Sequence, residues 1–308
     1  MRDISGEIIA GLSRDQKAID PKYLYDEIGS EIFEKICLLP EYYPARAERN
    51  ILKDSSEEIA SFIGEDATII EPGSGSSSKI RLLLEELIRP LAYYPIEISK
   101  KMLFDSAEEI RRLFPTLTVK LVCADFNQDF AVFMDDLPRN SRKIIFFPGS
   151  TIGNFHPSEA LSFLKKCSLV IGAKGGVLVG VDLKKERKKL EMAYDDSQGV
   201  TATFNMNLLS RLNCELGASF DVDNFRHHAF YNEDEGRIEM HLKSMIDQSV
   251  KIQKTTLNFR KDETIHTESS YKYSVEEFVA LCSKAKLKVR KLWMDREKLF
   301  CVYFLEDF

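Results

Sequence analysis

Glycine is scarce in this sequence, at 15 of 308 residues, or about 5% against roughly 7% in average proteins. A chain so poor in glycine should keep it where the backbone needs a positive φ angle or a close approach to another group. Two short loops hold four of the fifteen, with Gly73 and Gly75 in one and Gly149 and Gly153 in the other. These two loops are therefore candidate ligand sites.

Paired cysteines are also lacking, because the six cysteines stand singly with no Cys-x-x-Cys spacing. This pattern favours neither a zinc knuckle nor a disulfide framework, and it fits apolar thiols in a reducing compartment. The five histidines show no metal-ligand spacing such as His-Glu-x-x-His; they are His156, His227, His228, His241 and His266. We expect no metal.

Neither an excess of positive charge nor a long apolar run is present. The net charge is −6, which argues against a partner bound by broad electrostatic attraction, such as a nucleic acid. The basic run at 184–189 is best interpreted as a solvated helix face. No window approaches 18 uninterrupted apolar residues, and residues 1–22 lack an apolar signal core. We expect a cytoplasmic monomer with a small-molecule substrate and no membrane span.

Helical and strand-like patterns alternate through the middle of the chain, from about residue 54 to 185. Apolar runs occupy Ala67–Pro72, Leu91–Ile98, Thr118–Ala124, Lys143–Pro148 and Gly175–Leu183. Amphipathic segments occupy Ser55–Ile63, Ser78–Ile88, Lys100–Leu113 and Pro157–Ile171. Five strands separated by helices predict an α/β fold with an open, mostly parallel, doubly wound sheet.

The two ends of the chain depart from that rhythm. Residues 1–53 are polar and aromatic, and the stretch 38–44 looks too irregular for a simple helix or strand. Residues 186–285 contain a helical segment, Val200–Leu216, followed by alternating segments. Two strand-like runs, 288–295 and 299–305, predict a terminal hairpin. A hairpin that closes a parallel sheet is typical of class I methyltransferases.

The first apolar run leads directly into a loop with the sequence Glu-Pro-Gly-Ser-Gly-Ser-Ser-Ser-Lys, residues 71–79. The spacing is neither that of a Walker loop nor the complete dinucleotide-binding pattern. Gly73 allows close backbone approach, and Ser74 offers a hydroxyl donor. A short Gly-x-Gly after an acidic residue suits S-adenosylmethionine, although by itself it also fits an ordinary strand-to-helix turn.

Acidic residues follow the next two strands. Glu97 ends the second run and can accept hydrogen bonds from both ribose hydroxyls of a nucleoside. Asp125 follows the third run and can take an adenine amino group, with Phe126 beside the ring. Each carboxylate alone fits a solvated loop. Together with the glycine loop, at successive strand ends, they favour a nucleoside site.

The fourth run ends in a loop, residues 149–154, that reads Gly-Ser-Thr-Ile-Gly-Asn. Two glycines, two hydroxyls and an amide form a compact set of neutral hydrogen-bonding groups. Such a set suits a small polar ligand or an amino-acid carboxylate better than a nucleic acid.

Several motifs resemble those of the histidine-specific Nα-methyltransferases of ergothioneine biosynthesis, in order along nearly the whole chain. The matching stretches are 25–26, 29–30, 39–44 (Leu-Pro-Glu-Tyr-Tyr-Pro), 149–154, 193–196, 199–202, 204–205, 237–240 and 267–268. The resemblance implies trimethylation of the α-amino group of L-histidine to hercynine, with S-adenosylmethionine as methyl donor. It also implies a Rossmann-like methyltransferase domain, 54–190 with 286–308, and a smaller α+β substrate domain, 1–53 with 191–285.

The resemblance further implies roles for individual residues. The cofactor would contact Tyr42, Gly73, Ser74, Lys79, Glu97, Asp125 and Phe126. Histidine would contact Phe33, Tyr42, Gly149, Thr151, Asn154, Tyr194, Met240, Glu268 and Ser270. The resemblance implies that Glu268 and Ser270 recognise the imidazole. Residues two apart on a strand point to the same face, so both can contact one ligand. Tyr25, Asn154 and Tyr194 are the candidate catalytic residues.

Three alternatives stay open on the sequence. A methyltransferase of the same family could act on another amino acid such as tryptophan, although Met240 with Glu268 favours a small polar ring. An RNA methyltransferase is disfavoured by the charge balance. A non-catalytic ligand-binding homologue is disfavoured because Asn154 and Glu97 are present.

Overall fold

The chain divides into two compact units in the computed structural model, which describes residues 4–126, 136–138 and 141–308. The smaller unit combines the residues up to Tyr43 with Lys185–Ser270, and the larger combines Pro44–Lys184 with Tyr271–Phe308. The chain thus crosses between units after 43, 184 and 270, whereas the sequence analysis put the domain boundaries after 53, 190 and 285. The assignment of a cofactor domain and a substrate domain stays a prediction.

The helices and strands of the described residues are as follows. The helices are α1 (Ser5–Leu12), α2 (Glu27–Cys37), α3 (Tyr43–Asp54), α4 (Ser56–Ile63), α5 (Ser78–Leu84), α6 (Lys100–Leu113), α7 (Pro157–Ile171), α8 (Arg187–Tyr194), α9 (Val200–Leu216) and α10 (Val275–Lys284). The strands are β1 (Lys17–Ala18), β2 (Ala67–Pro72), β3 (Ala92–Glu97), β4 (Thr118–Val119), β5 (Val122–Cys123), β6 (Arg142–Phe147), β7 (Gly176–Asp182), β8 (Phe225–Asn232), β9 (Arg237–Ser244), β10 (Gln248–Ile252), β11 (Thr255–Phe259), β12 (Thr264–Tyr271), β13 (Leu287–Met294) and β14 (Phe300–Asp307). None of these described helices is both long and apolar enough to cross a membrane.

A mixed sheet forms the centre of the larger unit, in the order β13-β14-β7-β6-β2-β3-β4, with β5 also paired to β3. The pairs β2–β3, β2–β6 and β6–β7 are parallel, whereas β14 runs antiparallel to both β7 and β13. The predicted parallel sheet with a C-terminal antiparallel hairpin is therefore confirmed.

Both faces of this sheet are covered, which explains why its strands are almost continuously apolar. Ile69 and Phe146 point to one face and pack in a core with side chains of α4, α5 and α6. Their neighbours Ile70 and Phe147 point to the other face and pack with side chains of α7 and α10. Because the parallel strands share one direction, their carboxyl ends and the loops that follow them lie along one edge.

A four-stranded sheet in the order β1-β12-β9-β8 forms the framework of the smaller unit. Strands β8 and β9 are antiparallel neighbours, and the short β1 pairs in parallel with β12. Helix α9 packs against α2 and against both β8 and β9. Strands β10 and β11 form a separate antiparallel hairpin.

Four local predictions were wrong or incomplete. The N-terminal zone forms α1, α2 and α3, and α3 begins within the stretch that we expected to be irregular. Helix α5 ends at Leu84 and not near Ile88, because the Glu86 N–H donates to the Leu83 carbonyl in a tighter turn. The third apolar run is split into β4 and β5. Helix α10 was missed, although Ser274 and Glu277 form a capping box at its start.

Candidate active site

Two glycines with positive φ angles shape the loop after β2, Gly73 at 68° and Gly75 at 49°. The N–H groups of Gly73 and Ser74 donate to the carbonyl of Ile96, at 2.8 and 3.1 Å, which ties the loop to β3. A Cβ at Gly73 would lie 3.2 Å from a ring carbon of Phe126 in a backbone conformation that favours glycine. The scarce glycine is therefore required at this strand end.

The Glu97 carboxylate lies beside the same loop. It accepts hydrogen bonds from the N–H groups of Gly75 at 3.2 Å, Ile98 at 2.8 Å and Ser99 at 3.1 Å. These donors fix the carboxylate at the end of β3. Asp125 and Phe126 follow directly after β5, which pairs with β3. The predicted nucleoside-binding elements thus share one edge of the sheet.

Phe126 forms an apolar wall next to this loop. Its ring packs edge-on against Phe147, Phe155 and Phe163, with centroid distances of 5.8, 6.3 and 6.2 Å. The Ser74 hydroxyl, in contrast, is a polar group of the loop; it is buried and has no hydrogen-bond partner among the described residues. One apolar wall and one unsatisfied buried hydroxyl suit a ligand with an aromatic ring and polar groups.

The loop after β6 is held by several specific contacts. Gly149 and Ser150 have φ angles of 81° and 56°. The Ser150 hydroxyl accepts from the Asp182 N–H at 2.9 Å, and the Thr151 hydroxyl donates to the Pro148 carbonyl at 2.9 Å. The short 3-10 turn Thr151–Asn154 follows. These hydrogen bonds fix the conformation of the loop. The expected contacts of Gly149, Thr151 and Asn154 with histidine stay predictions.

A pocket lies within the smaller unit. Five predicted substrate residues line it, namely Phe33, Tyr42, Tyr194, Met240 and Glu268. The lining also includes four residues that were not predicted, Ile36, Ala193, Thr201 and Phe204. The resemblance therefore pointed to side chains from α2, α8, β9 and β12 that converge on one space.

Aromatic rings form much of the pocket wall. The Tyr42 ring lies 6.1 Å from Phe33 and 5.9 Å from Tyr194, in edge-to-face arrangements. Tyr25 packs against Phe33 and Phe204 at 5.5 and 5.4 Å, which supports those two rings. Burial, reinforced by Tyr194, raises the pKa of Tyr42 well above its ordinary value. Its phenol is therefore neutral at physiological pH and suited to hydrogen bonding.

The polar side of the pocket comes from β12. Glu268 is 6% exposed, and Ser270 follows two residues later. The Tyr194 hydroxyl donates to the Ser270 hydroxyl oxygen at 2.8 Å. The Thr267 hydroxyl donates to the Met240 carbonyl at 3.0 Å and links β12 to β9. A carboxylate, two hydroxyls and aromatic faces can together recognise a small ring with polar nitrogens.

Asp196 positions two of the lining residues that sequence reasoning missed, Thr201 and Phe204. Gly199 is the N-cap residue of α9, and the Asp196 carboxylate accepts from the N–H groups of Val200 and Thr201 in its first turn, at 3.0 and 2.7 Å. Burial would raise the pKa of Asp196, but hydrogen bonds from Thr201 and Val200 outweigh it and lower the pKa. In the sequence, Asp196 and Gly199 come shortly before the helical segment that begins at Val200. This pattern could have indicated a helix start at that point.

One cluster of potential metal ligands lies elsewhere in the smaller unit. Ligand atoms of Glu239, His241 and His266 all lie within 4.8 Å of one another. His241 Nε2 already hydrogen-bonds the Glu239 carboxylate at 2.9 Å, and the Arg237 guanidinium donates to that carboxylate at 2.8 Å. A fixed positive charge opposes a bound cation, so we interpret the cluster as a hydrogen-bond network. The absence of a metal stays a prediction that metal analysis can test.

Comparisons with known proteins identify the family of this chain. A family model described as histidine-specific methyltransferase, SAM-dependent, matches residues 4–307. A histidine N-alpha-methyltransferase from Mycolicibacterium smegmatis is 38% identical over 296 residues, covering 94% of this chain and 90% of that protein. Ergothioneine biosynthesis protein 1 from Neurospora crassa is 33% identical over 288 residues, covering 88% of this chain and 31% of that protein.

A solved structure supports the fold. The crystal structure of an S-adenosylmethionine-dependent methyltransferase from Clostridium acetobutylicum superposes with a TM-score of 0.50 at 12% identity, covering 89% of this chain and 98% of that chain. Together with the family match over nearly the full length, the glycine loop and the aromatic pocket, this leads to one conclusion. The chain belongs to the S-adenosylmethionine-dependent histidine-specific methyltransferase family.

Proposed function

We propose that this protein transfers three methyl groups from S-adenosylmethionine to the α-amino nitrogen of L-histidine and forms hercynine, the first step of ergothioneine biosynthesis. The pocket of the smaller unit is the observation that carries this proposal. The pocket is lined by Glu268 and by the rings of Phe33, Tyr42 and Tyr194. Such a lining suits a polar aromatic ring at one side and a methylated ammonium group at the other.

Recognition of the imidazole is assigned to Glu268 and Ser270. A carboxylate accepts a hydrogen bond from a ring N–H, and a serine hydroxyl that accepts one hydrogen bond can donate another to the second nitrogen. The Tyr194–Ser270 hydrogen bond of 2.8 Å orients that hydroxyl. A site that pairs both ring nitrogens discriminates strongly against rings that leave its groups unpaired.

The α-amino end of the substrate is assigned to Tyr42, Asn154 and Tyr194. Neutral phenol and amide groups can hold the α-carboxylate and the amine without competing for the methyl group. Faces of Tyr25, Phe33 and Tyr42 can stabilise the growing positive charge of the quaternary nitrogen by cation–π contact. Because the pKa of Tyr42 is raised, its phenol serves as a hydrogen-bond donor and not as the base.

Proton removal is required before each of the three transfers, since only the neutral amine carries a lone pair. The α-ammonium of histidine and its partly methylated forms must therefore release a proton each time. We propose that the protein orients the amine and that these protons pass to water through the hydroxyl groups of the pocket. Orientation in a dry site provides most of the rate advantage in such displacements.

S-adenosylmethionine supplies the electrophilic methyl group when it is bound. The residues that would hold it are Tyr42, Gly73, Ser74, Lys79, Glu97, Asp125 and Phe126. Two observations support this fit: the space beside the Phe126 ring that a Cβ at Gly73 would fill, and the buried Ser74 hydroxyl without a partner among the described residues. We further propose that the protein works as a cytoplasmic monomer and binds no nucleic acid.

A panel of substrates tests the proposal directly. The protein is incubated with S-adenosylmethionine and each of the twenty amino acids, and products are analysed by mass spectrometry. We expect a gain of three methyl groups with histidine alone. Trimethylated tryptophan in place of histidine would assign the pocket to an indole, and no product with any amino acid would contradict the proposal.

A further inference from the structure

A buried carboxylate with no role in the proposed chemistry lies in the larger unit. Glu48 is on α3, and its side chain is 1% exposed. Both of its carboxylate oxygens accept the Gly149 N–H at 2.8 Å. Its Oε2 also lies 2.6 Å from the ammonium nitrogen of Lys79. One acidic group therefore holds a lysine in the first turn of α5 and the backbone of the loop after β6.

Glycines next to Glu48 leave space for its side chain. Gly180 lies in the middle of β7, between fully buried valines, and a Cβ there would collide with Glu48 Oε1. At Gly149 the φ angle is 81°, and a Cβ would lie 3.3 Å from Lys79 Nζ. Two scarce glycines thus make room for the carboxylate and for the lysine beside it.

An isolated carboxylate at this depth would be strongly unfavourable, because burial removes its hydration. The Lys79 ammonium and the Gly149 N–H compensate for that loss. The same contacts restrict where Lys79 and Gly149 can be. A flexible lysine side chain, 25% exposed here, is held at one position by its buried partner.

We propose that Glu48 is a positioning residue for cofactor binding, acting through Lys79 and through the backbone of Gly149. This inference rests on the proposed function, which assigns Lys79 to S-adenosylmethionine and Gly149 to histidine. Glu48 itself touches neither ligand in this scheme. It sets the lysine ammonium where the cofactor meets it and keeps the start of α5 and the loop after β6 in register.

Binding of S-adenosylhomocysteine, measured by calorimetry, separates this role from a merely structural one. Glu48→Gln retains an oxygen that can accept the Gly149 N–H but loses the charge that holds Lys79. We expect its dissociation constant to rise about tenfold, the usual effect of losing a hydrogen bond to a charged group. Glu58→Gln, which removes the exposed pair with Lys291, is the matched control and should bind as the wild type does.

A double-mutant cycle gives the decisive readout. If Glu48 acts through Lys79, the double variant Glu48→Gln with Lys79→Met should bind S-adenosylhomocysteine as weakly as Lys79→Met alone. Additive losses, or wild-type affinity of Glu48→Gln, would overturn the proposal. If the cycle gives the expected affinities but the protein does not methylate histidine, the role of Glu48 in cofactor binding stands and only the proposed substrate is refuted.

Folding is monitored in parallel by the thermal unfolding midpoint. If Glu48→Gln does not fold, Glu48→Asp replaces it, because aspartate keeps the charge but shortens the reach by one methylene. We expect Glu48→Asp to fold and to weaken S-adenosylhomocysteine binding by a smaller factor, about threefold, since the ion pair is partly kept. Wild-type affinity in this variant would overturn the proposal.

Discussion

At the scale of single residues, Glu268 combines a charge with an apolar environment. It is almost completely buried in a pocket lined by Phe33, Tyr42 and Met240. A carboxylate in such surroundings needs a hydrogen-bond donor when the pocket is filled. An imidazole N–H supplies one, whereas an aliphatic side chain does not.

Replacing Glu268 by glutamine should therefore damage histidine recognition selectively. We expect kcat/KM for histidine to fall about tenfold, because a charge-assisted hydrogen bond to the imidazole is replaced by a weaker neutral one. S-adenosylhomocysteine affinity should stay within about twofold. Steady-state kinetics and calorimetry measure the two quantities. Glu263→Gln, just before the same strand, serves as control, and unchanged turnover of Glu268→Gln would remove the proposed imidazole contact.

Glu71 gives a pH-dependent test at the same scale. This residue lies in β2 next to the glycine loop, and its carboxyl group accepts a hydrogen bond from Tyr93. Burial raises its pKa to about 8, against about 4.3 in an unfolded chain. Between these two values the folded protein holds a proton that the unfolded chain has released. Rising pH therefore destabilises the fold through this group.

Glu71→Gln, which resembles the protonated acid, should remove that dependence. Relative to the wild type, we expect its free energy of unfolding to increase by up to about 1.4 kcal/mol per pH unit between about pH 5 and pH 8. Urea unfolding of both proteins at several pH values measures the difference. A difference that stays constant over this range would show that Glu71 is ionised in the folded protein.

At the scale of elements, the contacts that hold the start of α9 also position residues that line the pocket. The Asp196 carboxylate accepts hydrogen bonds from N–H groups of the first turn, while Thr201 and Phe204 in the first turns line the pocket. Gly199, with a φ angle of 70°, allows the tight turn between them. The geometry of one helix end therefore sets part of the pocket wall.

Asp196→Ala should cost about 1–2 kcal/mol of stability, because two N–H groups at the start of α9 lose their charged acceptor. Because the first turn loosens, we also expect a higher KM for histidine with little change in S-adenosylhomocysteine affinity. Thermal unfolding and kinetics measure these effects. Asp195 is the exposed neighbour of Asp196, and Asp195→Ala is the control variant. Equal effects in both variants would argue against a specific role of Asp196 at the helix start.

Prediction from sequence succeeded at elements with a single strong pattern. Continuous apolar runs marked β2, β6 and β7 because both faces of the sheet are covered. The i, i+2 spacing of Glu268 and Ser270 was visible on the sequence, but their function came only from the resemblance. Nothing in the sequence linked Glu48 to Gly149, since they are 101 residues apart and contact only through the fold. Thr201 lies in one of the matching stretches, 199–202, but only the fold shows that it lines the pocket.

At the scale of the whole molecule, both units are assembled from separated pieces of the chain. The larger has the sheet order and terminal hairpin of the methyltransferase fold. The smaller carries its pocket on residues from both of its pieces, Phe33 and Tyr42 from the first and Tyr194 and Glu268 from the second. Neither piece alone contains the pocket, so the proposed substrate site depends on the folded unit.

The position of the methyl groups on histidine tests the central claim most directly. Proton nuclear magnetic resonance of the isolated product distinguishes methylation of the α nitrogen from methylation of the imidazole ring. We predict one resonance from three equivalent methyl groups on the α nitrogen and an unmodified ring. Methyl signals on a ring nitrogen would contradict the proposed placement of the imidazole against Glu268.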